Sequence, residues 1–195
     1  MSFKLIAITR EVVGIDESCR ICNLIDAGFD YVHIRKPALQ KDEMQQFIES
    51  IPTRYYNRLK LHDHFDLADK YDLAGIHLNS RNRTAPTGFQ KHVSKSCHSI
   101  EELRDIDRFE YVFLSPIFDS ISKQGYKARF SKNELENSSN LISEKVMALG
   151  GVADKHIPYL QKIGFGGCAL LGYLPWTDDY QSFVQKINTI VNHVK

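Results

Sequence analysis

Eight short apolar runs alternate with segments of helical pattern along this chain of 195 residues, and no other feature constrains its fold as much. The runs cover residues 3–8, 31–35, 59–62, 75–78, 92–96, 111–114, 146–149 and 168–171. Strands that alternate with helices pair in parallel, because each helix returns the chain to the same end of the sheet. Eight such units predict an α/β fold, a single (β/α)₈ TIM barrel made by residues 1–195 as one domain. An open, doubly wound sheet is the alternative.

The predicted helices begin at residues whose side chains can cap a helix N-terminus. The caps that we predict are Ser99 and Ser131, each three residues before a glutamate, and Asp154 and Thr177. The segment 79–90 carries proline, glycine and several polar residues, and it is typical of a loop or a degenerate helix.

The composition excludes several classes of function. Lys and Arg number 25 against 24 Asp and Glu, a net charge of +1, so no overall field would steer nucleic acid or an anionic membrane. The N-terminal apolar run is too short for a signal peptide, and no stretch approaches the length of a transmembrane span. We expect a cytoplasmic protein that binds a small molecule, with no nucleic acid or membrane partner. The sequence leaves open whether the protein forms a homodimer.

Two short motifs lack the context that a ligand site needs. Cys19 and Cys22 form one CxxC inside the first predicted helix, but no second pair exists to complete a zinc site, so we expect buried free thiols. Residues 164–169 match GxGxxA, but they precede a strand instead of following one, which argues against a dinucleotide site.

Polar side chains gather where the predicted strands end, and TIM barrels place their active sites there. After strands two to five these residues are His33, Arg35, Lys36, His62, Asp63, His77, Ser96 and His98. After strands six to eight they are Ser120, Ser122, Lys123, Gly150, Gly151 and Gly172. Alternation along a strand turns His33, Arg35 and His77 toward the barrel axis. Arg35 and Lys123 supply positive charge, and the glycines let a phosphate approach the backbone, so an anionic ligand is predicted.

The polar loop 119–130 is expected to be a mobile lid. It is long, it contains Gly125, and its serines and lysine need an anion to organise them.

In order and spacing, seven stretches resemble the thiamine phosphate synthase and TenI superfamily across nearly the whole chain. They are residues 28–35, 61–68, 74–78, 96–102, 111–118, 120–123 and 148–151. The resemblance implies a (β/α)₈ barrel that binds a thiazole phosphate. In the synthases, a magnesium-bound pyrimidine diphosphate loses diphosphate and the thiazole nitrogen captures the cation. TenI relatives instead isomerise a thiazole carboxylate phosphate by proton transfer.

Departures from the synthase pattern separate these two activities. After strand two the synthase pattern is Gln-x-Arg-x-Lys. Here His33 stands in place of the Gln and Pro37 in place of the Lys, and Lys36 is the candidate to replace that lysine. After strand three Asn-Asp has become His62-Asp63, and Asn82 stands where a synthase has a magnesium-binding Asp. Amide oxygen is a poorer ligand than carboxylate for a hard cation. We therefore expect tautomerase chemistry without a required cofactor, and Mg²⁺, held in part by Asp63, only for a synthase.

The resemblance assigns His98 to proton transfer. His98 also precedes the Ser99 cap directly, and the positive end of a helix there would favour the neutral imidazole, which can accept and donate a proton. The predicted catalytic residues are His98, Arg35 and Lys123. The predicted substrate or phosphate ligands are His33, Lys36, His62, His77, Ser96, Ser120, Ser122, Gly150, Gly151 and Gly172.

Three alternatives remain. The first is synthase activity, with pyrimidine diphosphate as a second substrate. The second is a zinc hydrolase in which His62 and His64 lie on one side of a strand, with His33, His77 and Asp63 nearby. The third is a non-catalytic or regulatory barrel that only binds a thiazole phosphate.

Overall fold

Eight parallel strands close into a barrel in chain order, in a computed structural model that describes residues 2–119 and 127–194. They are β1 (Lys4–Ile8), β2 (Tyr31–Ile34), β3 (Leu59–Leu61), β4 (Gly75–Leu78), β5 (His92–Cys97), β6 (Tyr111–Leu114), β7 (Val146–Leu149) and β8 (Gly167–Leu170). Strand β1 pairs with β8, which closes the sheet. The predicted TIM barrel is confirmed, and the open doubly wound sheet is wrong.

The helical layer around the barrel is incomplete. The described residues contain α1 (Glu17–Ala27), α2 (Lys41–Glu49), α3 (Asp66–Lys70), α4 (Lys132–Asn137), α5 (Ile157–Lys162) and α6 (Tyr180–Asn192). Short 3₁₀ segments cover Thr53–Arg58, Glu101–Asp105 and Asp154–His156. The loop between β4 and β5 has no helix. Described helices in this protein are too short to span a membrane.

The structure corrects three of the four predicted caps. Ser131 caps α4 as predicted, since its hydroxyl accepts the Glu134 N–H at 3.1 Å. The cap of α6 is Asp179 and not Thr177, because the Asp179 carboxylate accepts the Ser182 N–H at 3.0 Å. Asp154 begins a 3₁₀ turn, and its side chain instead binds Lys186.

The α-helix expected after Ser99 is also wrong. The carboxylate of Glu102 accepts the N–H of His98 at 3.3 Å, one residue earlier than a capping box at Ser99 requires. The chain then forms only the five-residue 3₁₀ segment Glu101–Asp105.

Apolar side chains form one large core between barrel and helices and a smaller one inside the barrel. The inner core contains Ile6, Ile8, Tyr111, Phe113, Met147 and Ala169. Because strand side chains alternate, the same inner surface receives polar residues from β2 to β5. Cys97 and Cys168 are buried thiols, but Cys19 is exposed and Cys22 half-buried, so the expected burial of that pair is wrong for Cys19.

Candidate active site

A cavity of about 200 Å³ lies at the C-terminal mouth of the barrel, where the fold predicts chemistry. Its polar lining includes Arg35, His62, His77, Arg81, Ser96 and His98. The structure thus brings together predicted residues that follow four different strands.

A second cavity of about 410 Å³ adjoins the first, and Arg35 lines both. Arg10, Gly172 and Thr177 are among its other lining residues. The guanidinium of Arg35 also binds Glu11 at 2.6 Å. A larger depression of about 880 Å³ lies at the opposite end of the barrel, around Lys4. Its lining mixes acidic and basic residues without a histidine, so the mouth cavities are the better candidate site.

His98 is exposed at the cavity rim, and its ring orientation follows from its hydrogen bond. Its Nδ1 lies 3.1 Å from the carbonyl oxygen of Ser115. A carbonyl oxygen only accepts, so this hydrogen bond requires the proton on Nδ1, and in that neutral tautomer Nε2 has the lone pair. The predicted helix field is absent, because only a 3₁₀ segment follows. The geometry nevertheless leaves His98 as a base with one free nitrogen.

Three further histidines meet inside the barrel below the cavity. His33 Nδ1 lies 2.9 Å from His62 Nε2, and His33 Nε2 lies 2.6 Å from the hydroxyl of Tyr111. The His62 and His77 rings stack with centroids 4.4 Å apart and an interplanar angle of 25°. Burial lowers the pKa of His62 to about 3, and Arg35 and Arg81 act in the same direction.

The other two imidazoles are also uncharged. Burial lowers the pKa values of His33 and His77 well below the usual range, and neighbouring imidazoles add to the effect. His77 is fixed at both nitrogens, since Nδ1 lies 3.0 Å from the Ser94 hydroxyl and Nε2 lies 3.0 Å from that of Ser96. Three neutral, hydrogen-bonded imidazoles therefore occupy the barrel core.

The three imidazoles lie close enough to raise the question of a metal. Their candidate ligand atoms lie within 4.8 Å of one another. However, His33 Nδ1 and His62 Nε2 hydrogen-bond to each other at 2.9 Å, and both nitrogens of His77 lie 3.0 Å from serine hydroxyls. His64 binds the Leu39 carbonyl at 2.8 Å and lies outside this cluster. A zinc ion would have to displace these hydrogen bonds, which argues against the zinc hydrolase alternative.

Asp63 is already neutralised by a guanidinium. Arg81 Nη2 lies 3.1 Å from each carboxylate oxygen of Asp63, and Nε lies 3.1 Å from one of them. Asn82 donates its amide to the same carboxylate at 3.0 Å, and Asn79 accepts the Arg81 backbone N–H at 3.0 Å. A magnesium ion would have to displace Arg81, so Asp63 and Asn82 do not fit the magnesium site of a synthase.

Lys36 does not replace the missing motif lysine. It is fully buried and binds the Glu17 carboxylate at 2.6 and 2.8 Å, together with the carbonyls of Arg10 and Val12. The predicted role of Lys36 in substrate binding is therefore corrected. Its ammonium instead holds the loop after β1 against α1.

Gly150 and Gly151 are required by packing. Their φ angles are +91° and +65°, a region that favours glycine. A Cβ on Gly151 would lie 2.2 Å from the carbonyl oxygen of Asp119, and one on Gly150 would lie 2.8 Å from Pro116. The two glycines therefore allow the backbone segment that follows β6 to pack directly against the backbone after β7. A phosphate contact at these two residues stays a prediction.

Three predicted residues, Ser120, Ser122 and Lys123, lie outside the described residues, as does most of the predicted lid. Conversely, Arg81, Ser94 and Tyr111 contact predicted site residues but are not among the residues that the sequence predicts. Period-two alternation with Ser96 and Phe113 would have placed Ser94 and Tyr111 inside the barrel. Arg81 lies in an irregular loop, and no local pattern indicates its role.

Residues 5–174 match the family model described as thiamine monophosphate synthase. The chain belongs to the thiamine phosphate synthase and TenI family. It is 24% identical to a thiamine-phosphate synthase of Halalkalibacterium halodurans over 97% of this chain and 95% of that protein. Members of this family are enzymes of thiamine biosynthesis.

Solved structures agree with this assignment. A thiamine phosphate pyrophosphorylase from Bacteroides thetaiotaomicron is 32% identical, with a TM-score of 0.88 over 98% of this chain and 97% of that one. A thiamine phosphate pyrophosphorylase from Pyrococcus furiosus is 18% identical, with a TM-score of 0.76 over 98% and 96% of the two chains, and it supports the fold alone.

Proposed function

We propose that this family member isomerises a thiazole carboxylate phosphate to its aromatic tautomer by proton transfer. The observation that carries the proposal is the Arg81–Asp63 pair, because the guanidinium occupies the carboxylate that a synthase would offer to magnesium. Proton transfer needs no leaving diphosphate and no divalent ion. The neutral histidines around the cavity supply groups that hold and move protons.

The two adjoining cavities suit a small molecule with an anionic tail. The thiazole ring would lie in the histidine-lined cavity, beside His62 and His98. The phosphate would extend past Arg35 into the second cavity, toward Arg10 and Gly172. Guanidinium groups bind phosphate in bidentate fashion, and glycine lets an anion approach the backbone.

His98 is the proposed base. With Nδ1 hydrogen-bonded to the Ser115 carbonyl, Nε2 is the nitrogen left to take a proton, and the ring is exposed at the cavity rim. It takes the proton from one carbon of the ligand, and a proton must then arrive at the second carbon. Arg35 and Arg81 stand close enough to stabilise negative charge that develops on the ligand between these steps.

Synthase activity is the second candidate, and the relatives favour it. The curated and solved relatives described above are all named as thiamine phosphate synthases or pyrophosphorylases. Arg35 and Asp63 also match the synthase pattern given above. Under this alternative, pyrimidine diphosphate would be the second substrate and Mg²⁺ would have to displace Arg81 from Asp63.

One set of incubations separates these candidates. The purified protein is given thiazole carboxylate phosphate alone, then with pyrimidine diphosphate, then with pyrimidine diphosphate and Mg²⁺. Aromatic tautomer in all three samples supports the isomerase. Coupled product that appears only with Mg²⁺ supports the synthase, and binding without any product supports the non-catalytic barrel. A heat-denatured sample controls for spontaneous isomerisation.

A further inference from the structure

Two guanidinium groups line the histidine-lined cavity, and none of the described residues that line it is acidic. They belong to Arg35, which follows β2, and Arg81, which follows β4. Each has one carboxylate partner, Glu11 for Arg35 and Asp63 for Arg81, but neither acid lines this cavity. The cavity therefore presents positive charge to a ligand, which favours an anionic one.

The two arginines differ in their relation to the second cavity. Arg35 lines both cavities, whereas Arg81 lines the histidine-lined cavity and not the second one. In the proposed function the phosphate extends past Arg35 into the second cavity, so Arg35 is committed to the phosphate. Arg81 is left for a second anionic group, and that group must be attached close to the ring of the ligand.

Arg81 is held in one orientation and keeps one nitrogen unused. Its Nε and Nη2 donate to Asp63 at 3.1 Å, and its backbone N–H donates to the Asn79 side chain at 3.0 Å. Its Nη1 makes no hydrogen bond to residues 2–119 or 127–194. Because the guanidinium is planar, fixing one edge on Asp63 also fixes the direction of the Nη1 edge. That edge is therefore a preorganised donor for a planar carboxylate.

The same cavity also has an apolar part. Its lining includes Ile8, Phe113, Leu149 and Leu171. Ligand sites commonly combine apolar side chains, which contact the body of the ligand, with a few polar groups that fix its orientation. The apolar residues suit a flat heterocyclic ring, and the Nη1 edge of Arg81 suits a charged substituent on that ring.

We propose that Arg81 binds the ring carboxylate of the thiazole substrate and selects for substrates that carry it. The inference rests on the proposed function, because that function supplies the carboxylate. A thiazole phosphate without the carboxylate would pair with Arg35 and leave the Nη1 edge of Arg81 unused. A substrate with both anionic groups pairs with both guanidiniums, so the protein distinguishes the two ligands by affinity.

The test compares two ligands that differ only in this group. Calorimetry measures the affinity for thiazole phosphate with and without the ring carboxylate, in EDTA so that Mg²⁺ plays no part. We expect the parent to bind the carboxylated ligand about 10- to 10²-fold more tightly, the range of a hydrogen-bonded charge pair. Arg81→Gln should bind the two ligands about equally, and its affinity for the ligand without the carboxylate should stay near the parental value.

Two controls separate direct contact from a general effect of charge. Arg83→Gln removes the same charge from the same loop, but Arg83 is exposed, lines neither cavity and donates to the Ser80 carbonyl at 3.3 Å. It should keep the parental preference. Arg81→Gln also exposes the Asp63 carboxylate, which would repel the ligand carboxylate. Adding Asp63→Asn removes that repulsion, and the preference should still be lost in the double variant.

The outcomes distinguish this inference from the proposed function. If the parent prefers the carboxylated ligand through Arg81 but does not isomerise it, the proposed function fails and the inference stands. Equal parental affinity for the two ligands overturns the inference, as does a preference that persists in Arg81→Gln or returns in the double variant. Binding of neither ligand overturns both. Arg81→Lys, which keeps the charge but not the planar fork, should retain only part of the preference and serves if Arg81→Gln does not fold.

Discussion

Arg81 places Nη2 at 3.1 Å from both carboxylate oxygens of Asp63, at the rim of the cavity that we assign to the substrate. The carboxylate is mostly buried and the guanidinium is partly exposed. The ion pair fixes the Asp63 carboxylate and leaves part of Arg81 accessible from the cavity. It therefore decides whether the carboxylate is available to a metal ion.

We predict that the parent protein isomerises its substrate equally well with Mg²⁺ and with EDTA. Arg81→Gln removes the guanidinium and exposes the Asp63 oxygens, so this variant should bind Mg²⁺ measurably by calorimetry. Arg81→Gln combined with Asp63→Asn is the control and should lose that binding. Equal Mg²⁺ affinity in parent and Arg81→Gln would contradict the prediction.

His98→Asn should lower turnover by about 10²–10⁴-fold, because a general base has been removed. Ligand affinity should change little, since the proposed phosphate site at Arg35 and the second cavity is left intact. Measuring turnover and melting temperature on one preparation separates catalysis from packing. His64→Asn is the control, because His64 binds the Leu39 carbonyl away from the cavity. Parental turnover in His98→Asn would rule out His98 as the base.

The contribution of Lys60 to the free energy of unfolding should become more favourable as pH rises. Lys60 is fully buried inside the barrel, and its Nζ has no hydrogen-bond partner among the described residues. Burial lowers its pKa to about 7, against the ordinary lysine value of 10.5. Between these values the unfolded chain binds more protons than the folded one, so the free energy of unfolding contributed by this group increases with pH.

The measurement compares the parent with Lys60→Met by denaturant unfolding between pH 7 and pH 10. Only the parent should carry the Lys60 contribution, so the difference in stability between the two should narrow steadily toward pH 10. Lys60→Met should also be the more stable protein at pH 7, because it buries no ammonium. A pH-independent difference would contradict the pKa on which the prediction rests.

Gly151→Ala should destabilise the fold by more than about 2 kcal/mol, because a positive φ and a backbone collision act together. Gly88→Ala is the matched control, since φ is +78° there and no atom lies within 4 Å of an added Cβ. It should cost only about 1 kcal/mol, from the backbone angle alone. Chemical denaturation measures the loss of unfolding free energy in both variants. Similar losses would contradict the prediction, because they would show that the backbone moves away from the Asp119 carbonyl at little cost.

The regular part of the molecule is predictable from its sequence, and the irregular part is not. Strand periodicity predicts the barrel, and it places His33 and His77 on the inner surface, where the structure has them. The helix after β5 fails because Glu102 hydrogen-bonds to His98 in place of Ser99, a choice that spacing alone does not reveal. Arg81 is positioned by hydrogen bonds to Asn79 and Asp63 in and beside the loop after β4, so no local sequence pattern predicts its place in the site.

The buried ion pair between Lys36 and Glu17 has a consequence for the ligand cavity. The family motif that this chain resembles has lysine at position 37. Here position 37 is proline, and the lysine is the preceding residue, Lys36. From there it anchors the carbonyls of Arg10 and Val12, so it shapes the loop that brings Arg10 to the proposed phosphate cavity. A change at Lys36 would therefore reach the proposed phosphate cavity indirectly, through the shape of the loop that carries Arg10.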